Sequence, residues 1–276
     1  MAAPKSRYPL TIEGRRVDIT NPDKVFYPET GFTKAQVVDY YVRIAQALLP
    51  HLEDRALSLK RYPHGVGGAY FYQKQAPEHR PDWIQTTPVW SDDRDDDIDY
   101  CLANDLASLV WLANAADLEL HTFMHKAQDL KRPTQIAFDL DPGPGADALL
   151  CGKVALLLKE RLDALGLDSF VKVSGSKGMQ MHVPLNTPAT YEDTKQVSRT
   201  LAFALAKEYP KDVTAVMRKE LREGKVFIDW SQNDEHKTTV CVYSLRGLAI
   251  PSVAAPLTWD EVTDAVLSED LQQLRF

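Results

Sequence analysis

Asp139 and Asp141 lie two residues apart in Ile136-Ala137-Phe138-Asp139-Leu140-Asp141-Pro142-Gly143, an otherwise apolar run. A β-strand there turns both carboxylates to one face. Asp229 repeats the situation in Phe227-Ile228-Asp229-Trp230. Three ionised aspartates converging in a folded core would repel one another and lose hydration. A pair of divalent cations removes that objection, because carboxylate oxygens are the preferred ligands of Mg2+ and Mn2+. Two ions so held activate an attacking oxygen and stabilise a leaving pyrophosphate, the apparatus of nucleotidyl transfer. Metal-dependent hydrolysis of a phosphodiester by the same carboxylates is the competing chemistry.

A second constellation is Ser174-Gly175-Ser176-Lys177-Gly178, which joins two predicted strands. Its glycines allow close backbone approach, its amides and hydroxyls can hold phosphate oxygens, and Lys177 brings a positive charge. It is not a Walker A loop, since a strand follows where a helix should. A plain hairpin turn is the bland reading. Gln180 and His182 lie two apart beyond it and can face one pocket, while Met179, Met181 and Val183 face the core.

The elements that must position these groups follow from periodicity. Thr33 caps a helix in which Val37, Tyr41, Ile44, Ala45 and Leu48 recur at helical spacing, with Pro50 ending the run. Strands are expected over 56–61 and 69–73, a helix over 104–116 and a short strand at Glu119-Leu120-His121. Residues 135–141 form the first aspartate-bearing strand. A helix over about 147–164, strands at 170–173 and 181–185, a helix from the Thr190/Asp193 capping box to about Lys207, and strands at 225–230 and 238–243 follow. An amphipathic segment, Trp259 to Leu274, closes the chain. The order strand, helix, strand, strand, helix, strand is that of a ferredoxin-like or RNA-recognition-like unit, a mixed sheet covered on one face, over about 130–250. The fold class is α+β. An N-terminal α/β lobe over 1–130 packs closely beside a catalytic lobe over 131–276, since no Gly/Ser/Pro linker separates them.

With 276 residues, 44% hydrophobic and 26% charged, the chain has the composition of a soluble globular protein. No stretch approaches a membrane span, no secretory signal is evident, and Cys101, Cys151 and Cys241 are isolated, so an intracellular protein with no membrane contact is expected. The net charge of −7 argues at first against a DNA partner. Residues 92–99, six acids and one base, account for most of it and read as a solvated loop.

Together these motifs resemble the polymerase domains of bacterial LigD, the ligase of non-homologous end joining, in the archaeo-eukaryotic primase superfamily. The resemblance runs from about Ile19 to Trp259. It includes Asn21-Pro22-Asp23-Lys24-Val25-Phe26-Tyr27-Pro28, Gly31-Phe32-Thr33-Lys34, Glu119-Leu120-His121, the two aspartate strands, the Ser174–Gly178 turn, Ser231-Gln232-Asn233 and Pro256-Leu257-Thr258-Trp259.

The resemblance implies a template-dependent nucleotidyltransferase that fills gaps and extends broken DNA ends, favouring ribonucleotides. By it, Asp139, Asp141 and Asp229 bind two Mn2+ or Mg2+ ions. Ser174, Lys177, Gln232 and Arg246 hold nucleotide phosphates with His121 nearby, and Gln180 or His182 joins them. Lys24 and Lys34 grip a 5'-phosphate across a gap, and Phe71 and Tyr72 stack on the template. Partners are 5'-phosphorylated gapped or broken DNA, nucleoside triphosphates, Ku and a DNA ligase. A non-catalytic end-bridging module is the other alternative.

Two positions depart from the family pattern. Gln180 stands where a histidine usually follows the turn, and Arg246 is followed by Gly247 and Leu248 where Arg-x-Arg is usual.

Overall fold

The computed structural model describes residues 7–274, which form two compact units. One runs to Thr122 and includes Tyr243–Ser252; the other comprises Phe123–Val242 and the chain from Val253.

In the first unit, helix α1 (Lys34–Leu52) is capped by Thr33 as expected, and Gln36 completes a capping box, Thr33 accepting from the Gln36 N–H while the Gln36 side chain accepts from the Thr33 N–H. Val37, Tyr41, Ala45, Leu48 and Leu52 fall on its buried face. Pro50 does not end the helix. It lies in the last turn and costs one intrahelical bond, while continuing to Leu52 buries that side chain completely. Strands β1 (Leu57–Arg61) and β2 (Phe71–Gln73) pair antiparallel, and β1 pairs on its other edge with β5 (Asp117–Phe123).

Between β2 and β5 a hairpin forms from β3 (Thr86–Ser91) and β4 (Asp96–Cys101), followed by α2 (Leu106–Asn114), capped by Asp105. The acidic run is therefore only partly a loop. Residues 92–95 turn, whereas Asp96, Asp97 and Asp99 project from β4 as Ile98 and Tyr100 point inward. That alternation is a strand pattern obscured by charge.

The second unit carries a six-stranded sheet. Its four central strands are β6 (Gln135–Pro142), β7 (Phe170–Val173), β8 (Met179–Pro184) and β10 (Val226–Asp229), in the spatial order β10–β6–β8–β7, all antiparallel. By chain order that is 4-1-3-2, the ferredoxin-like arrangement expected from the element sequence. Short β9 (Val213–Thr214) runs parallel to β10 at one edge, and β11 (Pro256–Leu257) pairs with β7 at the other.

Helices α3 (Ala148–Ala164), α4 (Tyr191–Glu208) and α5 (Trp259–Ser268) supply the rest of this unit's core. Ile136, Phe138, Leu140, Met179, Met181, Val183, Val226 and Ile228 point into it. By the two-residue period, Asp139, Asp141, Gln180, His182 and Asp229 share the other face. Close packing at the strand ends requires glycine twice. A β-carbon on Gly178 would lie 2.2 Å from the Leu140 carbonyl oxygen, and one on Gly143 would lie 1.8 Å from that of Arg222.

His125 is buried, stacked on Phe123 at 4.8 Å and 2.7 Å through Nδ1 from the Tyr191 hydroxyl. No helix among the described residues is long and apolar enough to cross a membrane.

Candidate active site

Register brings the second unit's polar groups into one line. Asp139 of β6 is the direct partner of Asp229 on β10 and of Gln180 on β8, and Gln180 in turn faces Lys172 on β7. A row Asp229–Asp139–Gln180–Lys172 therefore crosses four strands. Asp141 lies two residues on, opposite Phe227. His182 shares the sheet face but is paired with Ala137, away from the second aspartate. Gln180, not His182, is the neighbour of the carboxylates.

The electrostatics are those of crowded acids. Burial raises the Asp139 carboxyl above its ordinary range, and Asp141 and Asp229 raise it further, while the Gln180 hydrogen bond and the Lys172 charge pull it back. Asp141 is also raised, by burial and by Asp229, with Arg222 opposing. Arg222 is held over the Phe227 ring at 3.7 Å, which positions that opposing charge.

Asp229 is turned aside. Its Oδ1 accepts from the Ser231 N–H at 2.9 Å and the Ser231 hydroxyl at 2.6 Å, capping a single 3-10 turn, while Oδ2 accepts from Gln232 at 3.3 Å. Among the described residues no three Asp, Glu, His or Cys side chains converge as a ready metal shell. The chemistry of the donor set still fits a divalent cation: three carboxylates on one face, two of them destabilised as anions by their neighbours. The Ser174–Gly178 turn stands next to this row. Ser174 Oγ accepts from the Ser176 and Gly178 amides at 3.3 Å each, which shapes the loop, and Lys177 is exposed.

The first unit holds two further clusters. Around Glu119, Oε1 accepts from the Tyr62 hydroxyl at 2.8 Å, the Gly247 N–H at 3.0 Å and Lys60 Nζ at 3.2 Å. Its Oε2 meets His121 Nε2 at 3.1 Å and Arg246 Nε at 3.1 Å. Burial alone would raise this carboxyl, but the His121 bond, the Arg246 charge and the Gly247 N–H together hold it well below the usual range.

The other cluster is cationic. Lys34 is almost fully buried, its ammonium donating to the Thr20 carbonyl at 2.6 Å and hydroxyl at 2.9 Å, and Lys24 Nζ donates to the Pro63 carbonyl at 2.5 Å. Burial, then the charges of Lys24 and Arg61, push Lys34 down to about 8. These are not ordinary surface lysines. On the edge strand β2, Phe71 and Tyr72 are both exposed, at 47% and 55%. Arg61 lies over the Phe71 ring at 5.8 Å, and the Tyr72 ring is 6.0 Å from that of His121.

Glu119, Lys172, Arg61 and Arg222 were not singled out as site residues in the sequence. Lys172 had a signal, a lysine alternating with valines in a short strand. Glu119 and Arg61 become legible only through register.

The family described as "LigD, primase-polymerase domain" matches residues 33–275. Among characterised proteins, the chain is 41% identical over 274 residues to the multifunctional non-homologous end joining protein LigD of Mycolicibacterium smegmatis, covering 98% of this chain and 35% of that protein. It is 34% identical over 252 residues to the bifunctional LigD of Bacillus subtilis, covering 91% of this chain and 40% of that protein. The chain thus spans little more than a third of the length of these relatives. A solved structure of the polymerase domain from Mycobacterium tuberculosis ligase D, in complex with DNA, superposes with a TM-score of 0.85 at 36% identity, covering 93% of this chain and 95% of that one. The chain belongs to the LigD primase-polymerase domain family.

Proposed function

We propose that this chain is a DNA-dependent nucleotidyltransferase that fills gaps and extends primer ends in non-homologous end joining, inserting ribonucleotides at least as well as deoxynucleotides. The observation that carries the proposal is the cross-strand row Asp229–Asp139–Gln180–Lys172 with Asp141 beside it, in a chain of this family. Asp139, Asp141 and Asp229 would hold Mn2+ or Mg2+, which when bound would lower the charge of the reacting oxygens as a Lewis acid. In the reaction a primer 3'-hydroxyl attacks the α-phosphorus of a nucleoside triphosphate and pyrophosphate leaves.

The chain's own residues then bind and orient. In the second unit, Lys177 and the Ser174 turn, with Gln180 and Gln232, supply donors and charge for phosphate oxygens; in the first unit, His121 and Arg246 offer donors to nucleotide phosphates. Phe71 and Tyr72 offer exposed ring faces to template bases, worth roughly 1–3 kcal/mol per stacked base. Ku and a DNA ligase would be its partners in repair.

Growth of a labelled primer that requires template, nucleoside triphosphate and Mn2+ tests the reading. Shortening of the primer without added nucleotide would point instead to a phosphodiesterase, and binding without either change to an end-bridging module.

The register makes one further expectation specific. Q180A should raise the nucleotide KM by about tenfold, the loss of one charge-assisted contact of ~1.4 kcal/mol. H182A, opposite an alanine, should leave KM unchanged. Single-nucleotide insertion kinetics on both variants decide it, and the reverse pattern would exchange the roles.

Lys24, Lys34 and Arg61 give another. Three cations drawn together make a local field that an anion relieves, so a 5'-phosphate downstream of a gap should bind there. K24A/K34A should extend unphosphorylated gapped DNA nearly as the parent does but lose the parent's preference for phosphorylated gaps. The loss should shrink as salt rises. Equal weakening on both substrates in fluorescence anisotropy would leave only diffuse attraction.

A further inference from the structure

The Glu119 cluster has a chemical consequence for the nucleotide. Glu119 engages His121 through Nε2, so that nitrogen carries the proton of the contact, and Nδ1 has no hydrogen-bond partner among the described residues. A neutral imidazole arranged this way presents a bare lone pair at Nδ1. A lone pair repels a phosphate oxygen; only the imidazolium offers it an N–H.

We propose that Glu119 is a positioning residue for the triphosphate, holding His121 through Nε2 and Arg246 through Nε, and that His121 meets the phosphates through Nδ1 as an imidazolium, gaining one proton as the nucleotide binds. The proposal rests on the nucleotide site set out above and deepens it. Within the first unit, the imidazole meets Glu119 on its own strand and the ring of Tyr72 on β2, and the charges of Lys60 and Arg246 act on it; Lys60, Tyr62 and Arg246 themselves contact Glu119. Lys60 and Arg246 oppose the extra charge and Glu119 favours it. Burial, the largest influence, keeps His121 below its ordinary value in the free protein, so the ring is neutral near pH 7 until a polyanion arrives. The proton comes from solvent, and no bond between heavy atoms is made or broken.

Proton uptake is directly measurable. The full chain, pre-saturated with Mn2+ so that metal binding is complete, is titrated with Mn2+-loaded α,β-methylene-ATP in Tris, HEPES and PIPES at one pH. The dependence of apparent enthalpy on buffer ionisation enthalpy should give between about half and one proton taken up per nucleotide. Correspondingly, Kd should weaken with rising pH, approaching about tenfold per unit over roughly pH 6.5–8.5.

H121N, which keeps a donor but cannot titrate, should bind with no uptake and a flat profile. E119Q keeps the shape and loses the charge, so its profile should begin to weaken at lower pH, while E119D should restore part of the parent's behaviour. A merely structural Glu119 would shift melting temperature and leave the pH profile in place. Nucleotide binding without uptake, or an H121N slope equal to the parent's, overturns this inference and leaves the nucleotide site standing. No nucleotide binding at all overturns both.

Discussion

Asp139→Asn should abolish templated nucleotide insertion, by at least ~100-fold or about 2.7 kcal/mol of transition-state stabilisation, and should at the same time raise the melting temperature of the metal-free chain. The two effects share a cause. Asp139 stands in the middle of the sheet, paired directly with Asp229 and two residues from Asp141, and its carboxylate is disfavoured first by burial and then by those neighbours. An amide of the same shape removes the repulsion while keeping a donor and an acceptor for Gln180. Core residues that serve packing do not behave this way, because their replacement lowers stability. Mn2+ should raise the melting temperature of the parent by mass action and do little for the variant. Parallel thermal melts with and without Mn2+, beside primer-extension rates, provide the check. A D139N protein that is inactive and also less stable would make this aspartate a structural residue, and an active one would remove the proposed metal role.

The aspartate face was readable in the sequence because strand periodicity is short-range: Phe138, Leu140 and Ile228 pointing to the core oblige Asp139, Asp141 and Asp229 to point away. The ferredoxin-like order was readable for a similar reason, since the helices between strands carry their own caps, Asp147 and Thr190. What periodicity does not encode is which strands become neighbours. The pairing of Asp139 with Gln180 rather than with His182 depends on the register of β6 against β8, and one alternating pattern admits several registers.

Glu119 illustrates the same limit. In Glu119-Leu120-His121 it reads as a polar strand residue, and only folding reveals that it collects Tyr62, Lys60 and Gly247 from distant positions. The hairpin within the acidic run and the continuation of α1 past Pro50 failed for another reason. In both, the burial of a few side chains, Ile98 and Tyr100 or Leu52, outweighed a local preference against the element.

Asp117→Asn should stabilise the chain at alkaline pH and give little benefit in mild acid. Asp117 sits at the start of β5, directly opposite Arg61, and is completely buried with no hydrogen bond to either carboxylate oxygen. Burial pushes its carboxyl up to about 7, with the Arg61 charge opposing. The unfolded carboxyl titrates near its ordinary value of 3.8. Between these two values the folded chain therefore holds a proton that the unfolded chain has lost, so stability falls as pH rises through that window and levels off above it. Over the whole window the penalty is of order 4 kcal/mol, and from pH 5.5 to pH 8 about 2 kcal/mol of it should appear. Asparagine carries no such charge. The stability difference between D117N and the parent, measured by urea denaturation at those two pH values, should grow by that amount in the variant's favour. A difference that stays constant with pH would mean that the carboxylate is solvated or paired in solution. A constant difference would also follow if Arg61 stabilised the anion more than burial opposes it, because the folded value would then lie below 3.8 and outside that interval.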